Sequence, residues 1–190
     1  MRRVQTAALA LFAKHGYADV TIEQIAVAAE VGPATVYRHF GTKEQIVLWD
    51  EYDPMLLEGV AERLADHSPF DAVRQAVIAG LDRIYTRDRT RILERAQLTT
   101  GNPALAAAVA SGQVGLRHGL AELFLRKRAC RDALEAAVVA GALTAAIEAA
   151  AESWLREGGR RALGRHVVRA FDRLARLQER KELRRGRSRR

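Results

Sequence analysis

Residues 21–43, TIEQIAVAAEVGPATVYRHFGTK, carry three helix starts within 23 positions. Thr21 is a good N-cap, and Gln24 three residues on completes a capping box. Gly32 breaks the pattern that follows, and Pro33 sits where a first helical residue tolerates proline. Thr42 can cap a further helix beginning at Lys43. Ile22, Ile25, Ala26 and Ala29 make one apolar stripe, and Val36 and Phe40, four apart, make another. The stretch therefore reads as two short helices around a tight turn, with a third helix start close behind.

Helical periodicity continues on both sides. Val4, Ala8, Leu11 and Phe12 share a face, so residues 2–15 read as an amphipathic helix closed by Gly16. Downstream, Asp53-Pro54 looks like a cap and first turn ahead of Leu56, Leu57, Val60 and Leu64. Ser68-Pro69 opens a helix with Phe70, Val73, Val77, Leu81 and Ile84, and Arg89–Thr100 reads as a separate, shorter one. Asn102-Pro103 opens a helix through Phe124. An Ala-rich helix is expected over 131–157 and a last one over 160–178. No strand and no internal repeat is evident. The expected fold class is all-α: a three-helix domain over 1–47, a helical domain of about six helices over 48–178, and a basic tail over 179–190 expected to be disordered at its end.

Charge bounds the partner. The chain carries +8, of which seven basic and two acidic residues from Glu179 to Arg190 supply +5, leaving +3 for residues 1–178. A basic balance favours a polyanion, yet the helix pair is not strongly basic by count, so placement must do the recognition. One cysteine, Cys130, excludes an internal disulfide and suits a reducing cytoplasm. No apolar run is expected to reach the ~20 residues of a membrane span. The first residues, MRRVQTAALALFAKHGY, are interrupted at Gln5, Thr6 and Lys14 with helical spacing, which argues against a signal peptide.

A helix that reads DNA hides one face and offers the other to the major groove. Val36 and Phe40 are the hidden face; Thr35, Tyr37, Arg38 and His39 lie on the remaining arc. Thr35 offers a methyl and a hydroxyl to base edges. Arg38 suits guanine or phosphate, and Tyr37 and His39 can donate to phosphates. Pro33 and Ala34 are small enough to let the helix start approach the groove floor, but their side chains cannot donate hydrogen bonds. Thr21, at a helix N-terminus with free N–H groups, and Lys43 bracket the face as phosphate anchors. The alternative is an ordinary helical corner with a solvated basic face.

The run V-G-P-A-T-V-Y-R-H-F-G-T-K-E, preceded by A-A-L-A-L-F-A-K-H-G-Y-A-D-V-T-I-E-Q-I-A, resembles the DNA-binding domain of the TetR family of transcriptional repressors over residues 4–48. The resemblance implies an all-helical homodimer with a small N-terminal DNA-binding domain and a larger ligand-binding domain. It implies that Thr35, Tyr37, His39 and Lys43 contact double-stranded DNA, with Thr21 on a phosphate. The basic arm usual before the first helix is reduced here to Arg2 and Arg3. From Arg91 to Leu177, the run T-T-G-N-P-A-L-A-A, a long helix, an Ala-rich helix and W-L-R-E-G-G resemble an actinobacterial-type branch whose members are suspected of sensing acyl-CoA or similar lipophilic molecules.

Small residues recur every four along the Ala-rich helix (Ala137, Gly141, Ala145, Ala149), so helices 131–157 and 160–178 are the expected dimer contact; the alternative is a buried intrachain helix. Ligand-lining candidates are Leu81, Tyr85, Leu98, Leu105, Val109, Phe124 and Trp154, with Arg91, Arg95, Arg117 or His118 for an anionic head group; for each, core packing or a solvated charge is the more economical reading. No enzymatic activity, cofactor or metal is expected: the five histidines form no short-spaced pair, and GxSxG, HExxH and P-loop patterns are absent. The rival reading is a nonspecific binder of nucleic acid or acidic surfaces driven by the basic tail.

Overall fold

The structure, a computed structural model, describes residues 1–49 and 52–187, with the side chains of 52, 53, 84–87 and 178–187 outside the description. The described residues form nine α-helices and no strand: α1 Arg2–His15, α2 Ile22–Ala28, α3 Pro33–Phe40, α4 Lys43–Leu48, α5 Tyr52–Arg63, α6 Pro69–Gly101, α7 Pro103–Arg126, α8 Ala133–Arg156 and α9 Leu163–Arg187. The all-α expectation holds. By packing, the chain divides into one unit of Met1–Glu51 with Asp88–Val114, and a second of Tyr52–Arg87 with Gly115–Arg190. Residues 88–114 thus group with the N-terminal helices, a different division from the boundary expected at 47/48.

Two expectations are corrected. Arg89–Thr100 is no separate helix; it is the last part of α6, which runs 33 residues from Pro69. Nothing between Ile84 and Arg89 removes a backbone donor or favours a left-handed turn, so the helix has no reason to stop. Likewise α9 does not end near 178 but runs helical to Arg187, through Arg, Lys, Glu and Leu residues of good helix propensity. A third difference concerns α8. It is long and apolar enough, by length and composition, to cross a membrane, contrary to the expectation that no run comes close. One face of it is core, however, with Ala136, Ala140, Leu143, Ala150 and Trp154 buried.

In the first unit, Val4, Ala8 and Phe12 of α1 meet Ile22, Ile25 and Ala26 of α2, Val36 and Phe40 of α3, and Ile46 and Val47 of α4; Leu105 closes the same core. Gly16 ends α1 with φ +86° and its N–H donates to Phe12 O. Only a residue without Cβ takes that backbone easily. Phe40 meets Trp49 edge-on at 6.4 Å between ring centroids.

One polar side chain sits inside this core. Gln5 is 1% exposed. Its Nε2 donates to the carbonyls of Ile46 (2.9 Å), Val47 (3.2 Å) and Trp49 (2.8 Å), and its Oε1 accepts from Arg91 Nη1 at 2.9 Å. Arg95 Nη1 also donates to Trp49 O, at 3.1 Å. The last carbonyls of a helix have no intrahelical partner; here side chains of α1 and α6 supply partners for α4. Asp88 pairs with Arg2 at 3.2 Å and Arg91 at 3.5 Å, extending the network.

In the second unit, Val60, Val73, Val77, Leu120, Leu123, Phe124, Leu143, Val167 and Phe171 form the core. Asp132 caps α8, accepting from Glu135 N at 2.8 Å, and Trp154 Nε1 donates to Arg161 O at 2.9 Å. Arg74 pairs with Asp172 at 3.1 Å.

Candidate nucleic-acid interface

The expected reading helix is present as α3, begun by Pro33 and ended by Gly41 at φ +72°. Val36 and Phe40 are buried, which fixes the rotation of the helix. Pro33, Ala34, Tyr37, Arg38 and His39 are then exposed, and Thr35 is half-buried. The face foreseen from the sequence is therefore one continuous patch. Arg38 and His39 make no hydrogen bond or ion pair among the described residues, so their donors are open to solvent or to a ligand.

The turn ahead of α3 takes its left-handed residue from a non-glycine. Gly32 is extended at φ −67°, and the left-handed position falls on Glu30, at φ +52°. A non-glycine there stores strain of about 1 kcal/mol. Arg3 braces the site: its guanidinium donates to Ala29 O at 2.9 Å from Nε and to Glu30 Oε2 at 2.7 Å. Arg2 and Arg3, the candidates for a basic arm, are the first residues of α1 and are already engaged, Arg3 on the end of α2 and Arg2 on Asp88.

Thr21, Tyr37 and Lys43 are also tied into the protein. The capping box is formed: Thr21 Oγ1 accepts from Gln24 N at 3.2 Å and Thr21 N donates to Gln24 Oε1 at 2.8 Å. The Thr21 and Gln24 N–H groups are therefore both taken up within the capping box. Lys43 Nζ donates to Tyr17 O (2.9 Å) and Ala18 O (3.2 Å) and lies 4.8 Å from the Tyr17 ring centroid. An ammonium has three hydrogens, so one remains for an outside acceptor. Tyr17 in turn donates its hydroxyl to Glu44 at 2.6 Å. Burial, then the Glu44 bond, pushes the Tyr17 phenol well above its usual range. Tyr37, 48% exposed, donates to Glu23 Oε1 at 2.9 Å. The Glu23 bond holds the Tyr37 hydroxyl above its ordinary pKa. Glu23 and Gln5 were missed by sequence reasoning. Gln5 did carry a signal, a polar residue on the apolar arc of α1.

The ligand candidates are divided between the two units. Leu98, Leu105 and Val109 belong to the first unit, where Leu105 is core and Leu98 packs against it. Leu81, Phe124 and Trp154 belong to the second; Phe124 and Trp154 are fully buried. The Tyr85 side chain lies outside the described residues. Of the head-group candidates, Arg91 and Arg95 are committed to the α4 network, while Arg117 and His118 are exposed. An open pocket of about 190 Å³ in the first unit, lined by Leu9, Ala13, Glu94, Gln97 and Leu98, shares only Leu98 with the set. The described residues hold no cluster of three or more His, Cys, Asp or Glu fit for a metal ion.

A short exposed helix, set by two buried side chains on a four-helix core and preceded by a capped helix and a tight turn, is a helix-turn-helix of the kind that DNA-binding regulators use. Comparison with known proteins agrees. The family model "Bacterial regulatory proteins, tetR family" matches residues 6–48, and "MftR C-terminal domain" matches residues 67–178. The chain belongs to the TetR family of transcriptional regulators, in the group with an MftR-type C-terminal domain.

Among curated relatives, the HTH-type transcriptional regulator TcmR of Streptomyces glaucescens is 40% identical over 79 residues, 40% of this chain and 35% of that protein. The "Probable acrEF/envCD operon repressor" of Escherichia coli is 36% identical over 91 residues, 45% and 41% of the two chains. The chain thus spans well under half of either relative's length. MftR of Mycobacterium tuberculosis is 26% identical over 158 residues, 81% of this chain and 79% of that one. Two solved structures share the fold: the SmeT–triclosan complex (TM-score 0.63, 19% identity, 90% of this chain and 87% of that one) and Bacillus subtilis FadR with stearoyl-CoA (TM-score 0.60, 16% identity, 90% and 95%).

Proposed function

We propose that this chain is a ligand-responsive repressor that binds a palindromic operator as a homodimer and is released by a small lipophilic effector. The observation that carries the DNA half is the division of α3: Val36 and Phe40 inside, and Thr35, Tyr37, Arg38 and His39 on one outward patch with Pro33 and Ala34 at its leading edge. Arg38 is the strongest base or phosphate donor, because nothing among the described residues competes for it. Lys43 serves as a phosphate contact with the hydrogen it retains, and Thr21 marks a second phosphate position at the N-terminus of α2. With two donor-free side chains at the helix start, part of the specificity rests on DNA shape.

The homodimer is supported by α8. Leu134 and Val138 are 74% and 61% exposed, and the exposed Ala137, Ala142, Ala145 and Ala149 continue their stripe. Leu177 of α9 is 66% exposed. An uncovered apolar stripe of small residues suits close approach by its own copy about a two-fold axis. Such a dimer sets two α3 helices one DNA turn apart, about 34–36 Å. The lipophilic effector is supported by chemistry: fold neighbours hold triclosan and stearoyl-CoA. It would act by preferring the dimer geometry that no longer matches the groove spacing. Leu81, Phe124 and Trp154, with Tyr85, are its candidate lining in the second unit, within a regulatory region of 48–178. The site of action is the cytoplasm, where the DNA is.

The test is enrichment of a randomised duplex pool on the purified protein, followed by gel shift with Tyr37→Ala, Arg38→Ala and Lys43→Ala. A palindromic product and weaker binding by the variants, each with unchanged circular dichroism, is expected. Unchanged affinity in all three would remove the assigned face.

A further inference from the structure

The DNA face carries an acid that a phosphate-binding surface has no evident use for. Glu23, at the start of α2, is exposed, and its Oε1 accepts the Tyr37 hydroxyl across the helix pair at 2.9 Å. A phenol has a single hydrogen to donate. While Glu23 holds it, Tyr37 offers DNA only lone pairs, which a phosphate oxygen does not accept. The carboxylate is firmly ionised: its own backbone N–H, then Tyr37, then Thr21 hold it below the ordinary carboxylate range. Thr21, Glu23 and Tyr37 thus form one local group, two hydroxyl residues around one negative charge.

We propose that Glu23 is a specificity-determining restraint on the DNA face: it occupies the donor of Tyr37 and sets a negative charge against the phosphates, so that arbitrary DNA backbone is disfavoured and only a duplex whose other contacts draw Tyr37 away is bound tightly. The inference rests on the reading of α3 as the DNA-facing helix. Glu23 is a positioning residue here, acting through Tyr37 and through charge. Phosphate contacts carry affinity without sequence information. A device that weakens them in the absence of the right bases therefore widens the gap between specific and nonspecific binding, which is the quantity that matters against a genome of competing sites.

The experiment compares wild type, Glu23→Gln, Tyr37→Phe and the double variant. Each is titrated against two duplexes: the sequence that wild type enriches from a randomised pool, and a scrambled duplex of equal length. Glu23→Gln keeps an acceptor for Tyr37 while removing the charge. It is expected to tighten scrambled-duplex binding by about three- to tenfold near 0.1 M salt, the size of one phosphate contact, and to steepen the salt dependence by up to about one unit. Binding to the enriched duplex should change less, so the ratio falls. In the Tyr37→Phe background the gain should shrink, because a neutral amide holds the Tyr37 hydroxyl less tightly than a carboxylate and part of the gain is that easier release. The Tyr37 phenol titration, read as the ultraviolet difference between each chain and its Tyr37→Phe counterpart, should move down in Glu23→Gln. Unchanged scrambled-duplex affinity in Glu23→Gln, with the enriched duplex still bound, would overturn the proposal. Loss of enriched-duplex binding alone would make Glu23 a base reader instead, which also overturns it. If wild type enriches no sequence and binds neither duplex, the DNA reading itself fails, and that outcome is distinct from both.

Discussion

Replacing Gln5 by leucine tests the support under α4. The side chains are close in volume, so the core stays filled. What is lost is specific. Nε2 carries two hydrogens shared among three carbonyls, at 2.8–3.2 Å, and Oε1 accepts from Arg91 at 2.9 Å. Trp49 O keeps its bond from Arg95. The carbonyls of Ile46 and Val47 lose their side-chain donor, and Arg91 loses an acceptor while keeping Asp88. A stranded buried polar group costs about 1–3 kcal/mol. Two carbonyls at the low end of that range, plus one charge-assisted bond, give about 3 kcal/mol in total. With a urea dependence of about 2 kcal/mol per molar, the midpoint falls by roughly 1.5 M.

The chain supplies its own reporters. It has two tryptophans, Trp49 in the first unit and Trp154 in the second. In a Trp154→Phe background, Trp49 fluorescence follows the first unit by itself. Gln5→Leu should shift that transition and raise hydrogen exchange in α4. It should leave a Trp154 signal, read in a Trp49→Phe background, nearly unmoved. A Trp49 midpoint shifted by less than about a fifth of that expected fall would show that the carbonyls find other partners, and the account of Gln5 as the cap of α4 would be wrong.

Val138→Glu places a charge in the exposed stripe of α8 and should convert the proposed dimer to a monomer in light scattering at micromolar concentration, without lowering helicity; a persistent dimer would move the contact elsewhere. The Tyr17 hydroxyl, then the backbone, hold Glu44 below its ordinary pKa. A depressed carboxyl stabilises above its unfolded value, about 4.5, and that contribution is lost as pH falls through the folded value. Tyr17→Phe should therefore flatten the loss of stability on acidification below that pH, and identical acid profiles would refute the coupling. Deleting 183–190 should weaken binding to all duplexes alike and reduce the salt slope; collapse of sequence discrimination instead would give the tail a reading role.

The first four helices were legible because their boundaries are written in local chemistry. Thr21 with Gln24, Pro33 and Thr42 are capping signals that need no tertiary partner. The longer helices were less so. Arg89–Thr100 looked separate because its apolar pattern shifts, yet nothing there stops a helix, and continuity won. Leu98 and Leu105 read as regulatory-domain residues by position, but a periodic leucine does not say which core receives it, and these two join the N-terminal one. The outward face of α3 was readable from two apolar residues. Glu23, Arg3 and Gln5 were not, because their roles are set by groups up to 86 residues away in the chain.

The proposed DNA face divides by what each side chain already does. Lys43, Thr21 and Tyr37 are bonded into the protein, so exchanging any of them alters the scaffold along with recognition. Pro33 starts α3, whereas Ala34, Arg38 and His39 are under no such obligation. Evolution of a new operator preference in this lineage therefore has a preferred route, through those three positions, and engineering libraries confined to them should retarget the protein without a loss of folded yield.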